Sequence, residues 1–140
     1  MNDEVLKFSE LAKFFPKQYE ALEASKRFKF TLFGGSVGSG KSYWLRWSMI
    51  YWLIKMHAKY GLEGIRAGLF CEDYPSLNDR HLTKIKFEFP DWLGTWNQQR
   101  HEFTLSPEYG SGIIAFRNLD DPEKYLSVEF AVMGIDEIVS

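Results

Sequence analysis

Residues Gly35-Ser36-Val37-Gly38-Ser39-Gly40-Lys41-Ser42 have the types and the spacing to hold a phosphate group. They match G-x-x-x-x-G-K-[ST] at every fixed position. A loop that wraps a phosphate must turn successive backbone N–H groups inward, and glycine adopts the needed conformations without a Cβ penalty. A helix starting at the end of the loop aims its positive end at the same anion. On this reading the amides of Gly35 to Ser42 and the Lys41 ammonium bind nucleotide phosphates, and the Ser42 hydroxyl ligates Mg2+. A second set of candidates ends the apolar run "FAVMGIDE" at Asp136 and Glu137. Asp136 suits Mg2+, usually through water, and Glu137 suits polarisation of a water that attacks the γ-phosphate. Lys41 and Glu137 are therefore the candidate catalytic residues. Gln18, in "FFPKQ", can donate and accept together, which matches an adenine edge and points to ATP as the nucleotide.

These residues need elements that bring them together. "FKFTLFGG" (28–35) is apolar, aromatic and β-branched and ends in glycines, the pattern of a buried strand entering a tight turn. A helix follows from Lys41 to about Tyr60, apolar nearly all round, and "GLEG" (61–64) stops it. "IRAGLFC" (65–71) predicts a second strand, 75–89 a helix opening at Pro75 and Ser76, 90–101 an irregular stretch, and 102–116 a hairpin turning near "PEYGSG". Residues 118–127 predict a loop or short helix, and 128–137 a buried strand ending in the two acids. Upstream, 3–13 and 16–27 predict two helices, the second with Pro16 at its start. Strands alternating with helices predict an α/β protein with a mainly parallel sheet. Such sheets bind ligands at the carboxyl ends of their strands, so the glycine loop and the acidic pair can meet in space.

Composition narrows the classes. The chain of 140 residues predicts one domain, and its 45% apolar content with abundant aromatic residues excludes a disordered polymer. A formal net charge of −2 excludes a bulk polycation, so any nucleic-acid contact must come from a local patch. Cys71 stands alone, which rules out an internal disulfide and reads as a small buried apolar residue. The N-terminus is polar, without the apolar core of a signal peptide, and the apolar stretch 43–56 carries Arg46 and Lys55 and is too short to span a membrane. His57, His81 and His101 lack metal-ligand spacing and read as ordinary surface or core histidines. "RHLTKIKF" (80–87) reads as a solvated basic helix face, with contact to DNA phosphates as the alternative. Trp92 and Trp96 read as packing residues, with base stacking as the alternative.

The stretches "FFPKQYEAL…FTLFGGSVGSGKS" and "GSGIIAFRNLDDPEKYLSVEFAVMGIDEI" resemble the ATPase domain of large terminase subunits, the DNA-packaging motors of tailed phages. The resemblance runs from about Phe14 to Ile138 and is loose between residues 72 and 100. It implies a three-layer P-loop NTPase of the additional-strand, catalytic-glutamate (ASCE) type. Residues 1–27 are then a helical lead-in with the adenine motif at Gln18, and 28–140 are the P-loop core. Gly35 to Ser42 correspond to Walker A, and Asp136 with Glu137 to Walker B. The implied activity is ATP hydrolysis with Mg2+ that drives double-stranded DNA into a capsid. The implied partners are a portal protein, a small terminase subunit and further copies of the chain in a ring, with no membrane. The implied setting is the host cytoplasm and, transiently, the capsid portal.

Two departures stand out. Many terminases have an arginine where this chain has Val37, so an arginine from elsewhere must serve; Arg66, Arg80, Arg100 and Arg117 are the candidates in this stretch, each otherwise a solvated surface residue. The sequence also ends three residues after Glu137, which implies an N-terminal part of such an ATPase, cut after the Walker B strand and without a nuclease domain. The competing readings are another P-loop motor, such as a helicase-like or recombination ATPase, and a non-catalytic nucleotide-binding or assembly module.

Overall fold

The computed structural model describes residues 30–35, 40–119 and 130–138. Gln18, the predicted helices at 3–13 and 16–27, the loop residues Ser36, Val37, Gly38 and Ser39, and most of 118–127 lie outside the described residues. The described elements are strands β1 (Phe30–Gly35), β2 (Arg66–Cys71), β3 (Gly94–Asn97), β4 (Glu102–Leu105), β5 (Ile113–Asn118) and β6 (Val132–Ile138), with helices α1 (Lys41–Tyr60), α2 (Tyr74–Leu77) and α3 (Ile85–Glu88). A π-helical turn, Asn78–Leu82, joins α2 to the segment that leads into α3.

The strands form one sheet in the order β1-β6-β2-β5-β4-β3. β1, β6, β2 and β5 run parallel, while β4 and β3 are added antiparallel. The α/β class therefore holds, but the sheet is mixed and not mainly parallel. The reason lies in the connections. A parallel crossover needs a dozen or more residues, and the links from Asn97 to Glu102 and from Leu105 to Ile113 are shorter than that. The predicted hairpin is present, with Glu102 opposite Ala115 and a 3₁₀ turn at Pro107–Tyr109. The predicted irregular stretch 90–101 hides β3, a four-residue strand paired with β4. β1 pairs directly with β6, so no additional strand stands between them among the described residues.

α1 supplies the core. Every residue from Trp44 to Tyr51 is buried, which is more than two turns and therefore all faces of the helix. Trp44, Leu45, Met49 and Ile50 join Ala67, Leu69, Ile114 and Phe116 in one apolar cluster; each such side chain contributes about 1.5–3 kcal/mol by leaving water. The helix stops as the sequence predicts: Gly61 takes φ 68 and its N–H bonds the His57 carbonyl at 2.8 Å, a left-handed C-terminal cap that glycine adopts cheaply. No helix among the described residues is long and apolar enough to cross a membrane.

Close approach fixes where α1 lies. A Cβ on Gly134 of β6 would stand 2.6 Å from Leu45 Cδ1, so the helix rests on a strand position with no side chain. Asp136 lies two residues on and so points to the same face of the sheet. Ser42 lies three residues before Leu45 and so on the same side of the helix. Packing Leu45 on Gly134 thereby carries the start of α1 to the carboxyl end of β6.

The opposite face carries charge. Glu102 accepts hydrogen bonds from Arg66 Nη2 at 2.9 Å and Arg117 Nη2 at 2.6 Å and is almost fully buried. Burial pushes its pKa up, but the two arginine hydrogen bonds and charges outweigh this and leave it lowered. Such a carboxylate stabilises the fold above its unfolded pKa, and that contribution is lost as pH falls through the folded value. Glu102→Gln should therefore cost about 2–4 kcal/mol near neutral pH, and the deficit should shrink toward pH 3. Denaturant titrations of both chains at the two pH values measure this; a pH-independent difference would remove the ion pair from the account. For β3, Gly94→Ala puts a Cβ 2.3 Å from the Thr104 carbonyl oxygen and 2.8 Å from the Phe103 ring. Backbone cannot yield as a side-chain tip does, so an overpacking cost of about 1–3 kcal/mol is expected, read as a lowered midpoint in the same titration.

Candidate functional site

Asp136 sits at the carboxyl end of β6 with no exposure to solvent. Four side chains from two other segments converge on it. At the start of α1, Ser42 Oγ donates to Asp136 Oδ2 at 2.6 Å, although the two residues are 94 apart in sequence. Lys41 Nζ lies 3.3 Å from Oδ1, and Lys41 is itself buried at 4% exposure. From the π turn, His81 Nε2 meets Oδ2 at 2.8 Å. Arg80 Nη1 lies 3.7 Å from Oδ1 and donates to the Asp136 carbonyl at 3.0 Å.

The π turn explains the last two contacts. The predicted 75–89 helix opens one residue early, at Tyr74, with Asp73 as N-cap accepting from the Ser76 amide at 2.8 Å, and it lasts only to Leu77. The segment then widens, with Thr83 N–H bonding the Asn78 carbonyl, five residues back, at 3.1 Å. The result corrects part of the reading of 80–87 as a solvated basic face: Arg80 and His81 turn inward, while Lys84 and Lys86 stay exposed. Arg80 pairs with Glu72 at 2.6 Å, and His81 is fully buried.

Charge and proton positions follow. Burial raises the Asp136 pKa, but hydrogen bonds from His81 and Ser42 and the charge of Lys41 outweigh it and bring it down to about 2. Asp136 is thus ionised at neutral pH. His81 is pushed down to about 4, chiefly by burial and further by the Arg46 charge, against the pull of Asp136. It is therefore neutral. Its Nδ1 faces Arg46 Nη1 at 3.0 Å. Arg46, itself buried, is gripped by both oxygens of Glu88 at 2.6 and 2.7 Å.

Two metal sites can be weighed on this geometry. Ser42 and Asp136 offer a hydroxyl and an ionised carboxylate, hard oxygen donors already in contact and suited to Mg2+. Asp136 Oδ1 is buried and makes no hydrogen bond among the described residues, although Lys41 and Arg80 face it, so it has lone pairs for a cation. Cys71, His81 and Asp136 also bring ligand atoms within 4.8 Å of one another. That trio does not suit a soft metal. Burial and the neighbouring Asp136 charge push the Cys71 thiol up to about 12, so it offers no ready thiolate, and His81 Nε2 is already engaged by Asp136 Oδ2 at 2.8 Å.

The predicted residues separate into three groups. Lys41, Ser42 and Asp136 meet. Gly35 ends β1 level with Ile138, and Gly40 caps α1 with φ 77, a conformation suited to glycine. Glu137 is described by its backbone, paired with Gly34 of β1. Of the arginine candidates, Arg80 reaches Asp136, whereas Arg66 and Arg117 are held by Glu102 and Arg100 lies 3.7 Å from it. Sequence reasoning missed His81 and Arg46. The only signal was a charged residue inside a very apolar helix, which marks a buried pair but not its partner. Trp96 packs edge-on against Phe116 at 5.7 Å and Trp92 lies against Tyr109 at 6.2 Å.

Compared with known proteins, the chain matches no family model, no curated protein and no solved structure. The burial of Cys71 gives a direct check. Its thiol should resist alkylation at pH 8 in the folded chain and react once denaturant unfolds it; rapid labelling under native conditions would show that the end of β2 is open to solvent.

Proposed function

We propose that the chain is a P-loop ATPase module with a three-layer core, the nucleotide-hydrolysing part of a DNA-packaging motor of the terminase type. The observation that carries this reading is the contact of Ser42 and Lys41 with Asp136 at the mouth of the parallel strands. Those are the residues the two motifs assign to Mg2+ and to the phosphates, and they were selected on sequence with about a hundred residues between them. In this reading the loop amides and Lys41 hold the β- and γ-phosphates, where the lysine charge offsets the charge that builds up in the transition state. Ser42 and Asp136 would hold Mg2+, which supplies charge neutralisation and orientation of the phosphates. Glu137 accepts a proton from the attacking water, and Gln18 hydrogen-bonds the adenine edge. Arg80 stands beside Asp136 as a cation of the same chain. Double-stranded DNA, a portal protein, a small terminase subunit, a ring of copies and a place in the host cytoplasm rest on the resemblance in residues 14–138.

Calorimetric titration of the chain with Mg·ATP, followed by phosphate release, tests this. Micromolar to millimolar binding is expected for the parent chain. Lys41→Ala should weaken it by at least about 30-fold, the loss of roughly 2 kcal/mol for a charge-assisted contact. Glu137→Gln should bind as the parent does and lose any turnover. Absence of binding by folded parent chain would sink the nucleotide reading, while binding without phosphate release by the parent would favour the non-catalytic alternative.

A further inference from the structure

We infer that His81 is a positioning residue for Asp136: Arg46 locks it as the Nε2–H tautomer, and it holds Oδ2 so that Oδ1 would be left for a divalent cation. The inference rests on the nucleotide reading of the same site. Its physical basis is a chain of donors and acceptors. A guanidinium has only N–H donors, so the nitrogen it meets must accept. Arg46 Nη1 lies 3.0 Å from His81 Nδ1, which leaves the ring proton on Nε2, 2.8 Å from Asp136 Oδ2. Arg46 cannot turn away, because Glu88 binds Nε and Nη2 and the Arg80 carbonyl takes Nη1. The ring also lies against Phe116, 5.9 Å between centroids.

Asp136 Oδ2 thus has two donors, Ser42 and His81, and they differ in kind. The Ser42 hydroxyl rotates freely about its bond and is itself a candidate cation ligand. The His81 donor is fixed by a buried guanidinium. With Ser42 turned toward a bound cation, His81 would still hold Oδ2 and leave Oδ1 on the side of Lys41 and Arg80, where it lies in this structure. Partners that orient a metal ligand in this way are worth about 10- to 100-fold in metal affinity.

The test measures ATP binding by calorimetry with and without Mg2+ on the parent chain, His81→Phe and His81→Gln. Glutamine keeps a donor and an acceptor at its tip; phenylalanine keeps bulk alone. The expected result is that His81→Phe raises the Mg2+ concentration needed for half-maximal enhancement of ATP binding about 10- to 100-fold, with metal-free ATP affinity unchanged, and that His81→Gln restores most of the loss. A His81→Phe chain with the parent's Mg2+ dependence overturns the inference, as does a glutamine variant equally impaired. Should the phenylalanine variant not fold, nitrogen-15 spectra of the parent's imidazoles decide: a protonated Nε2 and bare Nδ1 at neutral pH are expected for His81, and the other tautomer or an imidazolium overturns it. Parent chain that binds no ATP in either condition defeats the nucleotide reading, and the spectra still judge the tautomer lock independently.

Discussion

Asp136 is ionised out of reach of water, and a lone carboxylate in that position would cost more than the few kcal/mol by which a domain of this size is stable. It persists because Lys41, Ser42, Arg80 and His81 surround it. Those four come from two segments that share nothing in sequence with β6, so satisfying one carboxylate fixes three parts of the fold at once: the start of α1, the end of β6 and the π turn. Leu45 on Gly134 supplies the apolar contact that makes this geometry accessible. The polar contacts then make it unique, since a shift of α1 by one turn would leave Asp136 with half its partners.

The same arrangement explains how a charged ligand could enter without a large electrostatic penalty. Breaking a buried ion pair by removing one partner costs several kcal/mol, because the other is left bare. Lys41 and Asp136 are paired in the chain as it stands. A phosphate would take the lysine and a divalent cation would take the carboxylate, so each charge exchanges one partner for another. Arg80 adds a second cation to the same carboxylate and is itself anchored by Glu72, so it stays in place during such an exchange. His81 differs from both, being neutral and fully buried, and suits a role that must not change with the ligand.

Much of the site was legible because its residues obey local rules. A glycine loop before Lys41 and Ser42, and an apolar strand ending at Asp136, are patterns of neighbours along the chain. Gly61 announces the end of α1 in the same way. What was hidden depends on contacts between distant segments. Arg46 looked like an interruption of an apolar helix, and only the fold reveals that Glu88 and His81 use its donors. His81 looked ordinary because its neighbours in sequence, Arg80 and Leu82, say nothing of Asp136. The π turn adds one residue to a helical turn, and no periodicity in so short a segment betrays it. β3 was hidden by its length and by Gly94, which weakens any strand pattern, although that glycine is required there by the Thr104 carbonyl.

Register between β1 and β6 settles what the motifs leave open. Phe33 pairs with Asp136 and Gly35 with Ile138, so β1 ends level with the acidic end of β6. Neighbouring strands lie about 4.8 Å apart, which means the chain leaves β1 for the glycine loop one strand spacing from the acidic pair and re-enters the described fold at Gly40, beside Lys41. Both ends of the loop are therefore pinned next to Asp136 by backbone pairing on one side and by α1 on the other. Asp136 points to the face that α1 covers, which is where Ser42 and Lys41 meet it.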